Sequence, residues 1–88
     1  MAGVGVGVVL AGAGTASASA NTFLSELSQH GIQLDNPAGV IRDGRLICGA
    51  LANGHSIGDV IAATKHDNPG LNWADAAFEV GAAIRNMC

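Results

Sequence analysis

Residues 72–88 read NWADAAFEVGAAIRNMC. Asn72 is a residue type that caps a helix, Asp75 falls in the first turn that follows, and Arg85 falls in the last. Both charges are placed favourably toward the helix dipole. Trp73, Ala77, Val80, Ile84 and Cys88 recur at three- and four-residue steps, which predicts one apolar side, while Asp75, Glu79 and Asn86 share the other. The stretch predicts a helix whose far end carries a cysteine.

Upstream, Asn68-Pro69-Gly70 predicts a turn, with Pro setting φ and Gly supplying a positive one. A helix is expected to start at the cap Ser56, with Asp59 in its first turn and Ile57, Val60 and Ile61 as its stripe, fading near His66. Before it, Asp35-Asn36-Pro37 combines a cap candidate with Pro at the first turn, where a missing N–H costs nothing. That helix runs to about Asn53 and stops at Gly54; Val40, Ile41, Gly44, Ile47, Cys48 and Leu51 fall within one third of its circumference. Thr22–His30 predicts another, with Phe23, Leu24 and Leu27 inward, Gly31 as the left-handed stop, and Ile32 and Leu34 continuing inward. No stretch alternates long enough for a strand. The expected fold is all-α, a small bundle of about four short helices.

Two features qualify that bundle. Gly44 lies mid-stripe at a cost of about 1 kcal/mol against Ala, which predicts close approach of another helix around Ala77 and Gly81. Leu46 and Phe78 point away from the main stripes, and predict either a second small core or an exposed patch for a partner or an acyl chain.

Residues 1–20 are a different polymer. All eleven charged residues follow Asn21, and Val4–Ala13 is an apolar run of secretory length, short of the ~20 residues that span a bilayer. Ala18-Ser19-Ala20 reads as an A-x-A cleavage site, so residues 1–20 are expected to be a cleaved signal peptide and Asn21 the mature start. Met1-Ala2-Gly3 carries no Lys or Arg, so the positive n-region is incomplete. The glycines of this segment match neither Gly-x-Gly-x-x-Gly nor a phosphate loop.

Charge narrows the partners. Four Lys+Arg against seven Asp+Glu give net −3, with one Trp, two Phe and no Tyr. Such a chain lacks the basic footprint of a nucleic-acid binder and is no basic amphipath for anionic membranes. At 49% hydrophobic and 12% charged it is not a disordered acidic tail. An envelope or extracellular protein partner is expected, with a lipid or other apolar ligand as the alternative.

A mature chain of about 70 residues is marginal without a staple. Export places it where disulfides persist, and Cys48 and Cys88 allow one pairing, worth roughly 4 kcal/mol for a loop of about 40 residues. Two free core cysteines or a reactive thiol are the alternatives, though neither Cys has a Cys, Lys or His beside it to lower its pKa.

Little points to catalysis. His30, His55 and His66 lack metal-ligand spacing and fit helix ends or loops. His55-Ser56 beside Asp59 holds the residue types of a hydrolase triad, but adjacent residues cannot face each other across a reaction centre and Ser56 is needed as a cap. Asp35, Asp43, Asp59, Asp67, Asp75 and Glu79 are scattered over helix starts and outer faces. No catalytic residue, cofactor or metal is expected.

Phe23-Leu24 with Leu27, Gly31-Ile32, Asn36-Pro37, Gly44 with Cys48, Gly54, Asn68-Pro69-Gly70-Leu71 and Cys88 together resemble the small exported mycobacterial proteins grouped as DUF732. The likeness spans Asn21–Cys88; Met87 stands where these proteins often have an aromatic. The resemblance implies a helical fold, export, and a bridge between Cys48 and Cys88. It implies no activity.

Overall fold

The computed structural model describes residues 11–88, with side chains from residue 19 onward. Four helices follow one another: α1 (Ala11–Gln29), α2 (Pro37–Ala52), α3 (Ile57–Asp67) and α4 (Trp73–Asn86). Among the described residues there is no strand.

The ends obey the local chemistry. Asn36, Ser56 and Asn72 each accept a hydrogen bond from the backbone N–H three residues on, of Gly39, Asp59 and Asp75, at 3.2, 3.1 and 2.8 Å. Each satisfies a donor that the helix leaves unpaired. Gly31 (φ 91°) and Gly54 (φ 93°) close α1 and α2. The Gly31 N–H donates to Ser28 O and the Ile32 N–H to Leu27 O, both at 3.0 Å; Gly54 and His55 repeat the pattern on Leu51 and Ala50 at 3.1 Å. These are Schellman closures, which only a left-handed residue at that position permits.

Two local expectations need correcting. Gly70 does not take a positive φ; the Leu71 N–H donates to Asn68 O at 2.9 Å, and the Pro69-Gly70 pair turns in the ordinary right-handed sense. α1 is already helical at Ala11, eleven residues before Thr22; Ala11, Ala13, Ala16, Ala18 and Ala20 favour the helix against the cost of Gly12 and Gly14. It passes unbroken through Ala18, Ala20 and Asn21, and Ala20 is buried. Residues 1–10, with most of the apolar run and the first half of the expected signal peptide, lie outside the described residues.

α4 packs against all three other helices, and among the described residues α1 and α3 do not pack on each other. Its buried face is therefore broad and made of small residues: Ala76, Val80, Ala82 and Ala83. This rotates the stripe expected from side-chain size. Trp73 and Ile84 are 51% and 40% exposed, at the edges of the face. Ile57, at the first position of α3, is exposed as well. Phe23, Leu27, Ile32, Ile47, Val60 and Val80 fill the core, with Phe23 and Leu27 fully excluded from solvent.

Gly44 faces another neighbour than expected. A Cβ there would lie 3.0 and 3.2 Å from the Phe23 ring and 3.4 Å from Met87 Cγ, so its nearest neighbours are on α1 and at the end of α4 rather than Ala77 or Gly81. Cys48 on α2 and Cys88 beyond α4 stand at disulfide distance, their Cα atoms 5.3 Å apart, and neither cysteine is free. The pair sits half-buried to exposed at the margin of the core, not inside it.

Candidate functional site

The feature that the local chemistry of folding does not account for is Glu79. Reading by size put it on the outer side of α4; the small-residue face puts it in the middle of the buried one, three residues after Ala76 and four before Ala83. It is 3% exposed, and its Oε2 has no hydrogen-bond partner. Burial pushes its carboxyl up to about 7, and the neighbouring Asp43 carboxylate on α2 pushes it the same way. Both causes disfavour the charged form. Asp43 is half-buried, where a solvated position was expected.

Glu79 lines an open cleft of about 500 Å³ bordered by Ile32, Asp35, Val40, Asp43, Leu71 and Asp75. The closure of α1 at Gly31, the cap segment before α2, and the Asn68–Leu71 turn set its walls. Four carboxyl groups thus meet at one cleft, and no Lys or Arg lines it. His30 stands at its margin, with Nε2 3.6 Å from Asp75 Oδ1. Among the described residues no three His, Cys, Asp or Glu side chains are arranged to hold a metal ion.

A second groove of about 230 Å³ runs between α2 and α3 and shares Asp43 and Asn68 with the first. Ile47, Ala50, Val60 and Ala63 give it apolar walls; Asp43, Asp59 and Asp67 add negative charge. Leu46 borders this groove and is 65% exposed, the most exposed large hydrophobic side chain described. His55 is held at the groove by the closure of α2, and Ser56 is committed to capping α3, so His55, Ser56 and Asp59 form no triad.

Phe78 is not brought together with Leu46. The His30 ring stacks on it at 3.8 Å between centroids, 6° from parallel, and the Arg85 guanidinium lies 5.6 Å above it. Arg85 in turn donates to Glu26 at 2.7 Å, and Asn86 Nδ2 donates to the other oxygen at 2.9 Å. These contacts hold the Glu26 carboxyl below its usual range. Phe78 packs against the main core from its edge and, through His30 and Arg85, links α1 to α4; it does not form a second core.

The Glu79–Asp43 pair is what sequence reading missed. The signal was present in the spacing of Ala76 and Ala83 around Glu79, which becomes legible once the small residues are taken as the buried face.

Neither a curated protein nor a solved structure matches the chain. The family model described as protein of unknown function (DUF732) matches residues 12–88, which covers α2, α3, α4 and all of α1 but Ala11, with both cysteines and the acidic cleft. The chain belongs to that family.

Proposed function

We propose that this chain is an exported, non-catalytic interaction module that receives a protein partner in the envelope or outside the cell, in the groove between α2 and α3. The observation that carries the reading is Leu46, exposed beside a groove with apolar walls and three aspartates. An exposed leucine at a concave apolar surface favours a docking role. The acidic lining favours a partner segment with apolar anchors flanked by basic groups.

Export rests on the uncharged leader, the Ala18-Ser19-Ala20 site and the paired cysteines, which an oxidising compartment maintains. Cleavage before Asn21 leaves Phe23 and Leu27, the fully buried residues of α1, on the mature chain. The carrier alternative ranks second, because both clefts open to solvent and the larger is lined by carboxyl groups that an acyl chain does not match.

A photo-crosslinking residue at position 46, compared with one at the exposed position 49 on the same helix, tests the reading in the producing cells. One protein adduct from position 46 alone is the expected result. A lipid adduct moves the assignment to a carrier, and equal adducts or none from the two positions remove it. Intact mass of the secreted chain, with and without reductant, reports cleavage after Ala20 and the bridge together.

A further inference from the structure

The α2–α3 groove leaves the larger cleft unexplained. Its carboxyl groups come from separate elements: Asp35 from the segment before α2, Asp43 from α2, Asp75 and Glu79 from α4. α3 contributes no charge to it, and the turn into α4 contributes Asn68, Gly70 and Leu71, which do not titrate. Among the described residues, the His30 ring stands at the margin, with Nε2 3.6 Å from Asp75 Oδ1. Acidic residues on a surface are ordinarily solvated, and a cluster of them says little. Glu79 is different, because it is almost wholly buried, lines the cleft, and holds an oxygen that nothing in the protein satisfies.

A buried carboxyl oxygen without a partner is rare in folded proteins and calls for a donor from outside the chain, a water or a ligand group. A cationic donor suits the place best, since Asp43 adds negative charge beside it. It must also be an organic cation on a slender stem, because no three ligands converge for a metal ion among the described residues. A guanidinium fits best: it offers five donors in a planar fork, is more weakly hydrated than an ammonium, and so loses less on entering a partly dry cleft.

We propose that the cleft between α2 and α4 receives an arginine side chain of the partner, whose guanidinium satisfies Glu79 and neutralises Asp43. The inference rests on the interaction-module reading and names the basic group that such a partner carries. Apolar docking beside Leu46 and charge recognition at Glu79 then lie side by side, joined at Asp43.

The test uses N-acetyl-arginine methylamide as probe, titrated into the oxidised protein while backbone amide shifts are followed by NMR. Saturable shifts are expected at Asp43, Leu71, Asp75 and Glu79, with binding about tenfold tighter at pH 8 than at pH 6 as Glu79 ionises. Glu79→Gln keeps the shape and removes the charge; it should weaken binding at pH 8 and flatten the pH dependence, and Asp43→Asn should weaken binding as well. N-acetyl-lysine methylamide should bind more weakly than the arginine probe. Shifts confined to other surfaces, an unchanged pH profile in Glu79→Gln, or equal binding of the lysine probe overturns the assignment. Arginine-probe binding that persists when no adduct forms at position 46 removes the groove and keeps the cleft; the reverse outcome removes the cleft alone.

Discussion

Replacing Glu79 with Gln should stabilise the fold, and by an amount that depends on pH in a defined way. Burial and Asp43 raise the Glu79 carboxyl from 4.5 to about 7 in the folded chain. In the unfolded chain the same group is solvated and titrates near its ordinary value. The folded state therefore binds the proton more tightly, so stability is full below about 4.5, declines as pH rises, and levels off above about 7. At about 1.4 kcal/mol per unit, the loss across that window is about 3 kcal/mol. Glutamine mimics the protonated form and does not titrate. Urea unfolding of the oxidised protein at a series of pH values should show the two proteins within ~0.5 kcal/mol of each other at pH 4.5, and the variant ahead by about 3 kcal/mol at pH 8. Glu26 has the opposite sign: Asn86 and Arg85 hold its carboxyl down, so its contribution is present above the ordinary carboxylate range and fades as pH falls below it. The two effects occupy different windows, and Glu26 is common to both proteins. A gap between variant and parent that is flat with pH, or a variant less stable at pH 8, would show that Glu79 is solvated or paired and that its burial has been misread.

Two further outcomes follow from packing and from the bridge. Gly44→Leu should lower the melting temperature sharply, because the Phe23 ring that it meets is fully buried and has nowhere to move; Gly49→Ala, with open space around it, should raise stability by up to about 1 kcal/mol. Similar shifts at the two positions in a thermal melt would contradict the packing. Replacing both cysteines with Ser should remove roughly 4 kcal/mol, read as a fall in the urea midpoint with far-UV helicity retained only at low denaturant; a midpoint unmoved by reduction would show that the pair carries no load.

How much of this was legible in the sequence depended on whether the signal was local. The three asparagine and serine caps, the two glycine closures and the extents of α2, α3 and α4 are set by hydrogen bonds within four or five residues, and the sequence displays them directly. The rotation of α4 is a tertiary outcome. A helix with three neighbours needs small residues at its contacts, so Ala76, Ala82 and Ala83 outrank Trp73 and Ile84 for the interior, and Glu79 is carried in with them. The partner of Gly44 was hidden for the same reason: that a glycine admits something is local information, but what it admits is not. The upstream extension of α1 was obscured by a competing reading, since small apolar residues serve signal cleavage and helix formation alike.

Glu79 and the cysteine pair act across the same two helices, and that gives the acidic cleft its physical sense. Asp43 and Glu79 repel each other from α2 and α4, and Cys48 and Cys88 tie α2 to the end of α4. Small domains have net stabilities on the order of 5 kcal/mol. Above pH 7 the ionised Glu79 lowers that figure by an amount comparable to the bridge's contribution, so the tie matters most where the acid is charged. An uncharged side chain at position 79 would carry no such electrostatic cost. An unpartnered carboxyl at the interface, offset by a covalent tie, is intelligible when the charge has an external use. A cation entering the cleft relieves the repulsion and stabilises the α2–α4 pairing in one step, so recognition and stability become a single equilibrium.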